Sequence, residues 1–123
     1  MHELSIAQSI IETVQREMTT RPLPAVTEIG VRIGVLSGVL PDALAFGFEA
    51  LVAETPLAGC RLAIEHVQAQ GQCLVCEQVF EVEAFFFSCP ACASGQVRVT
   101  QGYELDIAYL EVEDVEHPVL ADA

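Results

Sequence analysis

Apolar side chains recur every three or four residues from Leu4 to Met18. Leu4, Ala7, Ile11, Val14 and Met18 fall on one stripe, widened by Ile6 and Ile10, which is the period of an amphipathic helix. The pattern predicts a helix over about residues 3–19, stopped by Thr19-Thr20-Arg21-Pro22-Leu23-Pro24 because proline cannot supply the next helical N–H. From Val26 to Leu36 the period changes to two, with Ile29, Val31, Ile33 and Val35 alternating with Glu28, Gly30, Arg32 and Gly34 as in a half-buried strand. Ser37-Gly38 turns the chain. Pro41-Asp42 opens a second helix, where proline in the first turn loses no hydrogen bond; Leu44, Phe48, Leu51 and Val52 mark its apolar face and Thr55-Pro56 its end. After Gly59 a second strand is predicted over Arg61–Gln68, with Leu62 and Ile64 inward, and a third over Gly102–Tyr109. The alternation then slips at Leu110 and Val112, which predicts a bulge near Ala108–Tyr109. The acidic tail from Asp114 to Ala123 is expected to fray.

These elements make an α+β fold: a three-stranded antiparallel sheet with its apolar face under two helices. The stretch between the second and third strands belongs to neither periodicity. It holds Cys73-Leu74-Val75-Cys76 and, twelve residues on, Cys89-Pro90-Ala91-Cys92. Two Cys-x-x-Cys turns bring four thiolates into a tetrahedral cage that suits zinc or iron, with zinc the default. The gap is shorter than in the usual zinc pattern yet long enough for one hairpin to join the two turns. Disulfides are the alternative; a chain that opens directly into a helix without a secretory leader points to a reducing compartment, where metal ligation is favoured. With all four positions taken by protein sulfur the metal is structural rather than catalytic. The division is then 1–69 with 101–123 as one domain and 70–100 as an inserted zinc-ribbon domain entered from neighbouring strands. Phe85-Phe86-Phe87 reads first as an apolar buttress for the sulfurs and second as a docking patch. Cys60 reads as a buried small apolar residue.

Composition narrows the function classes. The 123 residues carry five arginines, no lysine and a net charge of −13, so phosphate backbones would be repelled and a nucleic-acid partner is excluded. No run approaches a membrane span, and no nucleophile with a plausible base and no phosphate loop is present, so no enzyme is expected. Two classes remain on the cysteines alone: a rubredoxin-like electron carrier, which would be red, and a zinc-ribbon adaptor that binds a protein partner. Glycines at 71 and 102 leave an exchanged dimer open beside a monomer.

The N-terminus adds a second metal chemistry. The Met1 amine, the His2 amide nitrogen and the His2 imidazole Nδ1 can close adjacent five- and six-membered chelate rings, a planar nitrogen set of the kind Ni(II) and Cu(II) prefer. Met1-His2-Glu3-Leu4-Ser5, Gly34-Val35-Leu36-Ser37-Gly38-Val39 with Leu44-x-Phe46-x-Phe48-Glu49, the four ribbon cysteines and Gly102-x-Glu104-Leu105 together resemble the HypA/HybF family of hydrogenase maturation nickel chaperones, in the same order over essentially the whole chain. The resemblance implies a cytoplasmic carrier with a nickel-binding domain and a zinc-ribbon domain. It would insert Ni(II) into the large subunit of [NiFe]-hydrogenase with the GTPase HypB as partner. Carried over by position, His2 is the essential nickel ligand, with the Met1 amine and the backbone of His2 and Glu3 as further donors or the Glu3 carboxylate helping instead; Cys73, Cys76, Cys89 and Cys92 hold Zn(II). Val35 departs from the pattern, where many members have glutamate. His66 and His117 have no place in it.

Overall fold

The computed structural model describes residues 3–83 and 85–113; the expectations for Met1, His2, His117 and the tail from Asp114 lie outside them. Helix α1, Glu3–Thr20, buries Ile6, Ala7, Ile10, Ile11 and Val14, the predicted stripe with its centre moved toward Ile6 and Ile10. It ends where the Thr19 and Thr20 hydroxyls donate to the Arg16 carbonyl. Strand β1, Val26–Gly34, carries Ile29, Val31 and Ile33 into the interior, each at most 2% exposed. Helix α2, Pro41–Val52, has proline in its first turn and buries Leu44, Phe48 and Val52. It meets α1 at Gly47, where an added Cβ would stand 3.2 Å from Leu4 Cδ1. Strand β2 spans Arg61–Val67. Both helices and the inner face of β1 share one apolar cluster, closed by Leu57 and, as expected, by buried Cys60.

The remaining strands are β3 (Gln70–Cys73), β4 (Val79–Glu81), β5 (Val97–Gln101) and β6 (Leu105–Val112). The first sheet has the order β2-β1-β6. It is mixed rather than wholly antiparallel, because β1 runs parallel to β2 and antiparallel to β6. The reason is α2: a strand, a helix and a second strand in one sheet return the chain to the end from which it set out. Alternation of side chains tells which face a strand buries but says nothing of its direction. The strands from which the inserted segment springs are not neighbours either: the chain leaves the sheet through β2 and returns through β6, with β1 between. The predicted bulge is present, for Gly30 faces Tyr109 while Val31 faces Ile107, leaving Ala108 as the extra residue. The Tyr109 ring lies across Gly30, where a Cβ would collide with it, and its hydroxyl donates to Glu28 at 2.6 Å.

The second sheet, in the order β4-β3-β5, is antiparallel throughout. A small buried cluster of Leu36, Ala69 and Val82, with Phe80, Phe87 and Val99 packed on it, joins it to the first. Backbone bonds run through the same joint: Leu36 N–H donates to the Gly102 carbonyl at 2.7 Å and Val82 N–H to that of Ala69 at 2.9 Å. Gly102, at φ 128, admits Ala69, whose Cα would lie 2.9 Å from an added Cβ. Only glycine combines that backbone angle with that approach.

Candidate metal centre and N-terminal site

The two cysteine turns repeat one backbone pattern. In the first, the Val75 and Cys76 amides donate to Cys73 Sγ at 3.3 and 3.4 Å. The Glu77 amide donates to the Cys73 carbonyl, and the Cys73 amide to Gln78, both at 2.9 Å. In the second, Ala91 donates to Cys89 Sγ at 3.3 Å, Ala93 to the Cys89 carbonyl at 2.8 Å and the Cys89 amide to Ser94 at 2.9 Å. The residue after the second cysteine is left-handed in both, Glu77 at φ 67 and Ala93 at φ 63. Neither is glycine, so each costs of order 1 kcal/mol that the surrounding turn must offset. The residue types carry no signal for the left-handed position or the amide donors beyond the Cys-x-x-Cys spacing itself.

All four sulfurs lie within 4.8 Å of one another, with Cys73 to Cys92 and Cys76 to Cys89 at 3.6 Å. Disulfide sulfurs stand about 2.05 Å apart, whereas four sulfurs each about 2.3 Å from one zinc stand about 3.8 Å apart. The spacing is that of a tetrahedral metal site. Among the described residues it is the one group of three or more His, Cys, Asp or Glu side chains able to share an ion. Four thiols this close cannot all ionise unaided. Cys73 is brought down to about 6 by the Cys76 amide and then, against the cost of burial, by that of Val75. At Cys92 the Ser94 amide favours the thiolate, but the Cys73 sulfur, burial and the other two sulfurs push it up to about 12. A divalent cation at the centre reverses that repulsion, so metal binding must release protons. Cys73 and Cys89 face inward, Cys76 and Cys92 outward.

The phenylalanine buttress is corrected in part. Phe85 and Phe86 are 60% and 70% exposed, because the turn in which Phe86 N–H donates to the Glu83 carbonyl, with Phe85 at φ 69, throws both rings outward. Phe87 alone turns in, onto the joint cluster, and meets Phe85 edge-on at 6.2 Å.

At the other site the described residues begin with Glu3. It opens α1, and its carboxylate Oε2 accepts the Leu40 amide at 3.0 Å. His66 lies exposed on β2. Val35 is half-buried, its amide donating to the Val67 carbonyl at 2.9 Å.

The family model described as "Hydrogenase/urease nickel incorporation, metallochaperone, hypA" matches residues 1–112. A hydrogenase maturation factor HypA from Geobacter metallireducens is 46% identical over 113 residues, 92% of this chain and 100% of the relative. One from Parabacteroides distasonis is 35% identical over 92% of this chain and 98% of its own. The solution structure of the Ni metallochaperone HypA from Helicobacter pylori superposes with a TM-score of 0.64 at 26% identity, covering 91% of this chain and 97% of that one. With the cysteine cage, the two-helix α+β fold and these likenesses in agreement, the chain belongs to the HypA family of nickel metallochaperones of hydrogenase maturation.

Proposed function

We propose that this chain carries Ni(II) on its N-terminus and delivers it to the large subunit of [NiFe]-hydrogenase in the cytoplasm, with HypB as its nickel-handling partner and Zn(II) held by Cys73, Cys76, Cys89 and Cys92. The observation that carries the reading is the placement of His2 directly after Met1 and directly before the helix that starts at Glu3. The amine, the amide nitrogens of His2 and Glu3, and the imidazole are thereby gathered within three residues. It works as a carrier, not as an enzyme. A terminal chelate suits delivery: it binds nickel through several nitrogens, yet the ligands of a target can displace those nitrogens one at a time from the chain end. Each donor must lose a proton or be unprotonated, so binding should weaken at acid pH. The family to which the chain belongs supports the nickel cargo; the sulfur spacing supports zinc.

The test is a calorimetric Ni(II) titration of the protein with its native N-terminus against His2→Ala. One-site binding lost in His2→Ala, with zinc content unchanged, supports two separate metal sites. Equal binding by both forms refutes the N-terminal site. It would favour the second reading, a zinc-ribbon adaptor, for which the outward rings of Phe85 and Phe86 speak.

A further inference from the structure

We propose that the Glu3 side chain positions the nickel site: its carboxylate pins the start of α1 to the entrance of α2 and so orients the N-terminal nitrogen donors, the carboxylate itself not binding the ion. The proposal rests on the N-terminal nickel reading above.

The argument starts at α2. Its N-cap position is Leu40, at φ −87 and ψ 117, which brings no side-chain cap. In a capping box the N-cap amide is accepted by a carboxylate three residues on. Here that position is Ala43, and the acceptor comes instead from Glu3, thirty-seven residues earlier, through Oε2 at 3.0 Å. One carboxylate therefore completes the cap of one helix while standing on the first residue of another.

The anchor it grips is firm. Val39, on one side of Leu40, is 6% exposed, and Leu44, one turn into α2, is fully buried. The loop between Leu36 and Leu40 is braced by the Val39 amide on Ser37 Oγ at 3.1 Å. One turn further along, α1 and α2 touch again where Leu4 covers Gly47. Residue 3 is thus held by its helix and by its side chain. Fixing residue 3 removes freedom that binding at the chain end would otherwise have to remove, which strengthens binding without the carboxylate acting as a donor. The carboxylate accepts the Leu40 amide through Oε2.

Three variants separate positioning from ligation. The full chain with its native N-terminus is titrated with Ni(II) alone, its metal-bound absorption spectrum is recorded, and amide exchange at Leu40 is followed without nickel. Glu3→Gln keeps an oxygen acceptor for the Leu40 amide and should hold nickel affinity within about twofold; Glu3→Ala should lose about tenfold and speed exchange at Leu40. In Glu3→Ala/Ala43→Glu a local capping box should restore protection at Leu40 while nickel affinity stays low, because α1 is no longer tied. The nickel spectrum should be the same throughout. A changed spectrum in either single variant, or Gln behaving as Ala, makes the carboxylate a ligand or a charge effect and overturns the proposal. So does full affinity in Glu3→Ala, or unchanged Leu40 exchange there. A wild-type chain that binds no nickel overturns the reading beneath it instead.

Discussion

Removing the cysteine-held metal should unfold one part of this protein and spare the rest. Among the described residues from Gln70 to Gln101 the buried apolar side chains are Cys73, Val82 and Cys89, and two of those three are proposed ligands. Burying Val82 contributes about 1.5–3 kcal/mol. A structural zinc contributes on the order of 10–16 kcal/mol, so the metal outweighs packing there several-fold. The helical side is built otherwise, with Ile29, Ile33, Leu44 and Phe48 all in one cluster that, among the described residues, includes none from the ribbon. After chelation at neutral pH, hydrogen exchange should lose its protection at the amides of Cys73, Val82 and Cys89, which donate to Gln78, Ala69 and Ser94. The ladder amides of β1 should stay protected. Loss of Val82, Phe80 and Phe87 from the joint would expose Leu36 and lower the remaining stability by about 1–3 kcal/mol. Metal content is measured on the same sample. Ribbon amides that remain protected in metal-free protein would refute the reasoning, and so would β1 amides that exchange together with them.

Three further outcomes are expected. Gly34→Ala should cost about 3 kcal/mol or more, because its Cβ would run into the Gly102 backbone, whereas the three atoms nearest a Cβ at Gly30 all belong to the Tyr109 ring, which can swing outward for about 1 kcal/mol; urea midpoints of the two variants give the comparison. Phe48, 1% exposed, should lose about 3–5 kcal/mol on change to alanine, and Phe86, 70% exposed, no more than about 0.5; equal losses would contradict the outward placement of that ring. The Tyr109 hydroxyl and then Arg61 hold Glu28 below its usual 4.5, while that same carboxylate, helped by burial, raises Tyr109 above 10.0. The carboxylate's contribution is therefore present above about pH 4.5 and lost as pH falls through the lowered value; the tyrosine's is present below about pH 10 and lost as pH rises through the raised one. The stability difference between wild type and Glu28→Gln, followed by denaturant midpoint, should shrink at both extremes.

The periodicities of Leu4–Met18 and Val26–Leu36, the proline that opens α2, the slip at Leu110 and the two Cys-x-x-Cys turns are local matters, and each could be read from neighbouring residues, because periodicity, proline geometry and chelate spacing act over a few positions. Direction and depth could not. Whether β2 runs with or against β1 depends on how a whole helix packs back on the sheet, and the outward throw of Phe85 and Phe86 depends on one turn geometry that their apolar character contradicts. Glu28 with Tyr109 and Arg61, Leu36 with Ala69 and Val82, and Glu3 with Leu40 join residues remote in sequence, where no pattern of nearest neighbours carries a signal. The chain thus determined its elements and its ligand types by itself; the tertiary structure decided which of them meet, since only folding brings distant groups within hydrogen-bond or van der Waals reach.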